Sequence, residues 1–131
     1  MDIAKRFRTD EQAEVEGIWQ NIGGGARLRL ARLNNPRYRK LYQRLTRDYR
    51  AQLEMGLMPD EVHDPILCQC LAETVLLEWE NIQFDGEELP YSKDNALHTL
   101  TQLKEFRDLV LRLAAGAEAY RKHLQEEDQK N

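Results

Sequence analysis

The feature that most constrains this chain is the run from Pro65 to Trp79, which is apolar almost all the way round a helical axis. Ile66, Leu67, Cys70, Leu71, Thr74, Val75, Leu76 and Leu77 surround that axis, and only Gln69, Glu73 and Glu80 mark a narrow polar strip. A helix with so little polar surface belongs in the centre of a fold, because every face of it needs a partner. Asp64 is placed to cap it, with Pro65 at the first helical position, where a missing N–H costs nothing. The sequence therefore predicts a central helix over 65–79, closed by Trp79, then a break over 80–91 and a restart as further helix.

The flanking segments suit that centre. Asn35 reads as an N-cap and Pro36 as the first residue of another helix. Tyr38, Leu41, Tyr42, Leu45, Tyr49 and Leu53 follow at the spacing of one helical face, with Arg37, Lys40, Arg44 and Arg47 opposite. Gly56 and Pro59 stop it. Ser92 caps a helix from Lys93 to Gln102, with Ala96, Leu97 and Leu100 inward. Phe106, Leu109, Val110, Leu113, Ala117, Tyr120 and Leu124 define a long final helix over 104–126, in which Gly116 costs about 1 kcal/mol against Ala.

Only two places read as β-structure. Val15 to Ile22 alternates imperfectly, Gly23-Gly24-Gly25 supplies a turn, and Ala26-Arg27-Leu28-Arg29-Leu30 alternates cleanly. This predicts a hairpin over about 15–32 with Arg27 and Arg29 toward solvent. Asp85-Gly86 reads as a tight turn tipping a small hairpin from Ile82 to Leu89. The expected fold class is thus mainly α: a small helical domain of about four helices with an N-terminal β-hairpin. A chain of 131 residues suits one domain. Its expected parts are an N-terminal arm or short helix over 1–13, the hairpin region 14–35, a helical core 36–126 and a frayed polar tail 127–131.

The net charge of −4 hides a division. Between Arg27 and Arg50 there are nine basic residues and one carboxylate, a formal +8; between Ala51 and Pro90 there are ten carboxylates and no Lys or Arg, a formal −10. Such a dipolar field acts on partner choice and association more than on fold.

Residues that carry chemistry are scarce. His63, His98 and His123 share no ligand spacing with Cys68 and Cys70, and a zinc site needs three or four convergent ligands. Two cysteines two apart on a helix point away from each other, so no disulfide, no metal and a reducing compartment are expected. Gly23-Gly24-Gly25 lacks the following Gly-Lys-Ser/Thr of a phosphate-binding loop, and no nucleophile–base pair or cofactor motif appears. The expectation is a non-enzyme without cofactor, in the cytoplasm and without a membrane span. An Arg-rich segment with interleaved tyrosines is the alternative reading, a nucleic-acid-binding or regulatory protein. Against it, Tyr38, Tyr42 and Tyr49 share the face of Leu41 and Leu45, and the isoelectric point of 5.4 is far below that of nucleic-acid modules.

An ordered run spans about half the chain, residues 66–121. An apolar segment ends in Leu76-Leu77-Glu78-Trp79-Glu80-Asn81-Ile82, followed by Asp85-Gly86 and Leu89-Pro90-Tyr91-Ser92. Asn95-Ala96-Leu97 comes next, then Phe106-Arg107-Asp108 with Leu111 and Glu118 to Tyr120. This run resembles the tail assembly chaperones of long-tailed double-stranded-DNA bacteriophages. Gly17-Ile18-Trp19, Ala26-Arg27-Leu28 and Asn34-Asn35-Pro36-Arg37-Tyr38 extend the resemblance toward the N-terminus. The resemblance implies a small helical protein that binds the tape measure protein, keeps it soluble and helps recruit tail tube protein subunits. It implies residence in the cytoplasm of the infected or lysogenic host and absence from the mature virion. On this reading Ile82, Phe84 and Leu111 are candidate apolar contacts, framed by Arg37, Lys40, Arg44 and Arg47, and the opposed charged segments would let copies self-associate. Such families often use a −1 translational frameshift. Gln129-Lys130-Asn131 is compatible with the slippery heptamer A-AAA-AAC, which the codons of the gene would test.

Overall fold

The computed structural model describes residues 1–130, and Asn131, the last residue of the tail singled out above, lies outside the described residues. Two short helices open the chain, α1 (Ile3–Phe7) and α2 (Glu11–Glu16), capped by Asp2 and Asp10. Gly17 ends α2: its N–H donates to the Ala13 carbonyl at 2.8 Å. Its φ of 86° and ψ of 156° fall in a region open in practice to glycine alone. Space is closed as well, since an added Cβ would sit 3.1 Å from Arg29 Cγ and 3.2 Å from Leu77 Cδ1.

The chain then enters β1 (Ile18–Gly23), turns through glycines at positive φ, and returns antiparallel as β2 (Ala26–Leu30). A third strand, β3 (Leu76–Glu80), pairs antiparallel with the far edge of β2, giving the order β1-β2-β3. Leu28 lies opposite Trp79 and Leu30 opposite Leu76, all four buried. Arg29 pairs with Glu78, so Leu77 is the extra residue of a bulge. The bulge rotates the strand by one residue and brings Leu76 and Trp79, three apart in sequence, onto one face.

Helix α3 (Pro36–Leu45) runs on through a 3-10 turn at Arg47–Tyr49 and α4 (Arg50–Glu54). Helix α5 (Asp60–Thr74) leads into β3. A two-stranded hairpin, β4 (Gln83–Phe84) and β5 (Glu87–Glu88), precedes α6 (Lys93–Gln102), α7 (Lys104–Ala115) and α8 (Glu118–Lys130). Helix α5 packs between α3 and α6, and α7 packs on α6 and on the sheet. Cys68, Leu71, Ala72, Val75, Ala96, Leu100, Val110 and Ala114 join the sheet residues in one core. A smaller cluster of Ala13, Ile18 and Tyr120 ties α8 to α2, and the Tyr120 hydroxyl donates to the Leu30 carbonyl at 2.9 Å.

The expected fold class needs correcting. This is an α+β arrangement of helices with a three-stranded antiparallel sheet and a second, two-stranded sheet, not a mainly α four-helix domain with one hairpin. The helix predicted over 65–79 is shifted and shortened. It starts at Asp60, with Pro59 in the N-cap position and Asp60 and Glu61 in its first turn, where carboxylates suit the positive end of the helix dipole. Pro65 lies inside it. It ends at Thr74, whose hydroxyl turns back to the Cys70 carbonyl at 2.7 Å. From Leu76 onward the open edge of β2 outcompetes continued helix, because it satisfies the same backbone groups while burying Leu76 and Trp79. The predicted N-terminal hairpin stands, but over 18–30, since Val15 is helical. The long final helix divides at Gly116, which is extended at φ −75° and ψ 127°. Helix α8 continues through Lys130, across most of the stretch expected to fray.

Candidate functional site

An open groove of about 1000 Å³ runs along α3, the 3-10 turn and α4. Arg37, Arg39, Lys40 and Arg44 of α3 line it, with Arg47 and Arg50 beyond; Lys93 of α6 closes the far side. Glu54 and Glu73 are its carboxylates. Among the described residues none of these cations is in an ion pair. The field in the groove is therefore strongly positive and unsatisfied within the chain.

Asn35 sets the position of that wall. Its side-chain oxygen accepts from Arg37 N at 3.0 Å and Tyr38 N at 3.1 Å, capping α3. Its amide nitrogen donates to the carbonyls of Arg32 at 2.8 Å and Thr74 at 3.1 Å. One buried side chain thus joins the start of α3 to the end of α5. At the other end the Thr46 hydroxyl donates to the Tyr42 carbonyl at 2.7 Å, and the Tyr42 hydroxyl meets His63 Nε2 at 2.8 Å.

The two tyrosines of α3 differ in setting. Tyr38 lies against the core, and burial, with Cys70 and Tyr42 adding, pushes its phenol up to about 12. Burial and then Cys70 also raise Tyr42. The two rings stack on each other at 5.9 Å between centroids. Tyr38 is therefore taken up by core packing, while Tyr42, stacked on it, is half-buried and lines the groove.

A second feature is the small acidic hairpin. Asp85 and Gly86 both have positive φ, 50° and 84°, the requirement of a two-residue type I′ turn. Its base is pinned: Leu89 N donates to the Ile82 carbonyl at 2.9 Å and Trp79 Nε1 to the Leu89 carbonyl at 2.8 Å. Asp85, Glu87 and Glu88 are exposed and, among the described residues, in no ion pair. Glu80, by contrast, is engaged by Arg27 at 2.7 Å, and that guanidinium also covers Trp19 at 4.6 Å.

Of the residues singled out from sequence, Arg37, Lys40, Arg44 and Arg47 come together in the groove. Ile82 and Leu111 are half-buried against the core, and Phe84 leans on His98 at 5.9 Å, so these three form no common apolar patch with the cations. Sequence reasoning passed over Lys93, which only the packing of α6 brings to the groove, and the exposed Met55 and Leu57 just past α4. It also passed over Leu103, exposed after α6, and Leu97, expected inward from its spacing, is exposed on α6. No sequence signal separates Leu97 from its buried neighbours Ala96 and Leu100.

Elsewhere, Arg107 is buried, and its guanidinium donates to Cys68 Sγ at 3.3 Å, with Asp64 at 3.7 Å. Burial, with Glu73 adding, pushes the Cys70 thiol up to about 11. Among the described residues no helix is long and apolar enough to cross a membrane. No curated protein and no solved structure matches the chain. A family model described as YdaY prophage protein does match, over residues 33–131. That span holds the cationic groove, the acidic hairpin and most of the core, and on it this phage-derived chain belongs to the YdaY prophage protein family.

Proposed function

We propose that this protein is a tail assembly chaperone, a non-enzymatic binding protein that holds the tape measure protein in solution and helps recruit tail tube subunits around it. The observation that carries the reading is the ordered run from Leu76 to Tyr120, on a chain of a prophage family. Within that run Trp79, Leu89 and Tyr91 meet in space, which gives the resembling residues a common structural purpose. A tape measure protein consists of long amphipathic helices that aggregate alone. The exposed apolar side chains Met55, Leu57, Leu97 and Leu103 are contacts suited to a helix with one apolar stripe. The work would take place in the host cytoplasm, before the virion is complete.

Co-expression with the tape measure protein of the same prophage tests this. The tape measure protein should move from the pellet to the soluble fraction and co-purify with this chain. An insoluble tape measure protein in the presence of abundant soluble chaperone would overturn the reading. The cationic groove also favours a second reading, nucleic-acid binding. The net charge of −4 and the packing of Tyr38 against the core oppose it. Retention of labelled duplex DNA with a steep salt dependence would support that alternative.

A further inference from the structure

We propose that the acidic β4–β5 hairpin of one copy docks into the cationic groove of a second copy of this chain, building open-ended, head-to-tail oligomers. The inference stands on charge and shape in the purified protein and is independent of any cargo.

The two surfaces are complementary and both are unused within the chain. In the groove Arg37, Arg39, Lys40, Arg44, Arg47 and Arg50 outnumber Glu54 and Glu73, and among the described residues none of these six is in an ion pair. On the hairpin Asp85, Glu87 and Glu88 are exposed, and Asp85 sits at the tip of a turn whose two positive φ values make it narrow. The hairpin is also held still. The Trp79 indole clamps its base through the Leu89 carbonyl, and Asn95 Nδ2 donates to the Pro90 carbonyl at 2.8 Å on the C-terminal side. A pinned, narrow acidic projection loses little freedom on entering a groove, which favours association.

The occupant that the charge pattern singles out is a second copy: its hairpin presents Asp85, Glu87 and Glu88 on a pinned turn, so the two facing surfaces are opposite in sign although each whole chain carries −4. A closed dimer does not follow from this pairing. Donor and acceptor are different patches on one molecule, so the contact is heterologous, and each bound copy still presents a free hairpin and a free groove. The product is a chain of copies whose length grows with concentration.

Sedimentation velocity of the full chain tests this at about 0.02 M and about 0.5 M salt, on either side of the range where exposed charges are screened. At low salt the weight-average mass should rise continuously with concentration to at least twice the 15.4 kDa of one chain, and return to that value at high salt. Two charge-reversed variants sharpen the test. Asp85→Lys/Glu87→Lys/Glu88→Lys makes the hairpin cationic, and Arg37→Glu/Lys40→Glu/Arg44→Glu/Arg47→Glu leaves the carboxylates of the groove wall in excess. All seven residues are exposed, and circular dichroism checks that both variants fold. Each alone should remain monomeric at low salt, because its hairpin and groove repel. Mixed in equal amounts they should associate again, since each hairpin then meets a groove of opposite sign. A wild-type chain that stays monomeric at low salt, one that forms a salt-insensitive closed dimer, or a mixture that fails to associate would each overturn the proposal. So would a monomeric wild type that binds duplex DNA through Arg44 and Arg47.

Discussion

The ring of Tyr91 stands edge-on to the indole of Trp79, with centroids 5.2 Å apart and planes at 88°. The pair is locked by two hydrogen bonds that cross it. The indole N–H donates to the Leu89 carbonyl and the Tyr91 hydroxyl to the Leu76 carbonyl, each at 2.8 Å. The strand that completes the sheet and the segment that leads into α6 are thereby fastened at one point.

Truncating the two side chains at that point should have graded effects. Tyr91→Phe keeps the ring and deletes the hydroxyl, and should cost about 0.5–1.5 kcal/mol in urea unfolding. Trp79→Ala empties a buried site and should cost about 3–5 kcal/mol. It should also speed amide exchange in the β4–β5 hairpin, which loses its anchor at Leu89. A neutral Tyr91→Phe would mean that the hydroxyl contact contributes nothing.

Gly17 offers a test of backbone geometry. Gly17→Ala must hold a non-glycine residue at φ 86°, ψ 156° and push against Arg29, Leu30 and Leu77. A destabilisation of about 1–3 kcal/mol is expected from the conformation alone, with the crowding added. Gly24→Ala, also at positive φ but with open space around it, should cost less. Equal losses in the two variants would show that the close approach at Gly17 relaxes freely.

Asn35 combines a helix cap with a buried junction. Asn35→Ala removes the cap and leaves the Arg32 and Thr74 carbonyls without its amide donor. About 2–3 kcal/mol should be lost, the sum of a cap and a buried polar group left unpaired. Asn35→Ser restores an acceptor for the helix start but not the donor, and should fall between. An Asn35→Ser protein as unstable as Asn35→Ala would mean that the junction to Thr74, not the cap, carries the whole effect.

Much of this architecture was legible wherever local chemistry decides it. Asn35-Pro36 and Ser92 start helices where their capping chemistry says they should, and Asp85-Gly86 makes the hairpin turn. The sheet was hidden by its own irregularity. Leu76 and Trp79 share a face because Leu77 bulges out, so the apolar spacing across β3 is three rather than two and mimics a helix. Nothing local marks the competition that ends α5, since the partner edge, β2, lies more than forty residues away. The groove shows the same split. Its α3 cations were readable as one helical face, while Lys93 and the isolation of the acidic hairpin follow only from tertiary packing.

Alkaline pH should unfold the protein through its buried acids. Burial, the leading cause in each case, raises Tyr38 from 10.0 to about 12 and Cys70 from 9.0 to about 11, and it also raises Tyr42, Tyr91 and Tyr120. These groups are neutral when protonated, so a raised folded value means that the folded state keeps a proton the unfolded chain has already released. Below the unfolded values both states are protonated and the contribution is fully present. As pH climbs from 9.0 through about 11 for Cys70, and from 10.0 through about 12 for Tyr38, the unfolded state binds fewer protons and stability falls. The urea midpoint should therefore stay level up to about pH 9 and decline steadily above it. Tyr38→Phe has no proton to lose and should make the decline between about pH 10 and 12 shallower, whatever its effect at neutral pH. An unchanged alkaline slope in that variant would mean that Tyr38 ionises as freely in the folded protein as in the unfolded chain, and that its packing against the core is open to water.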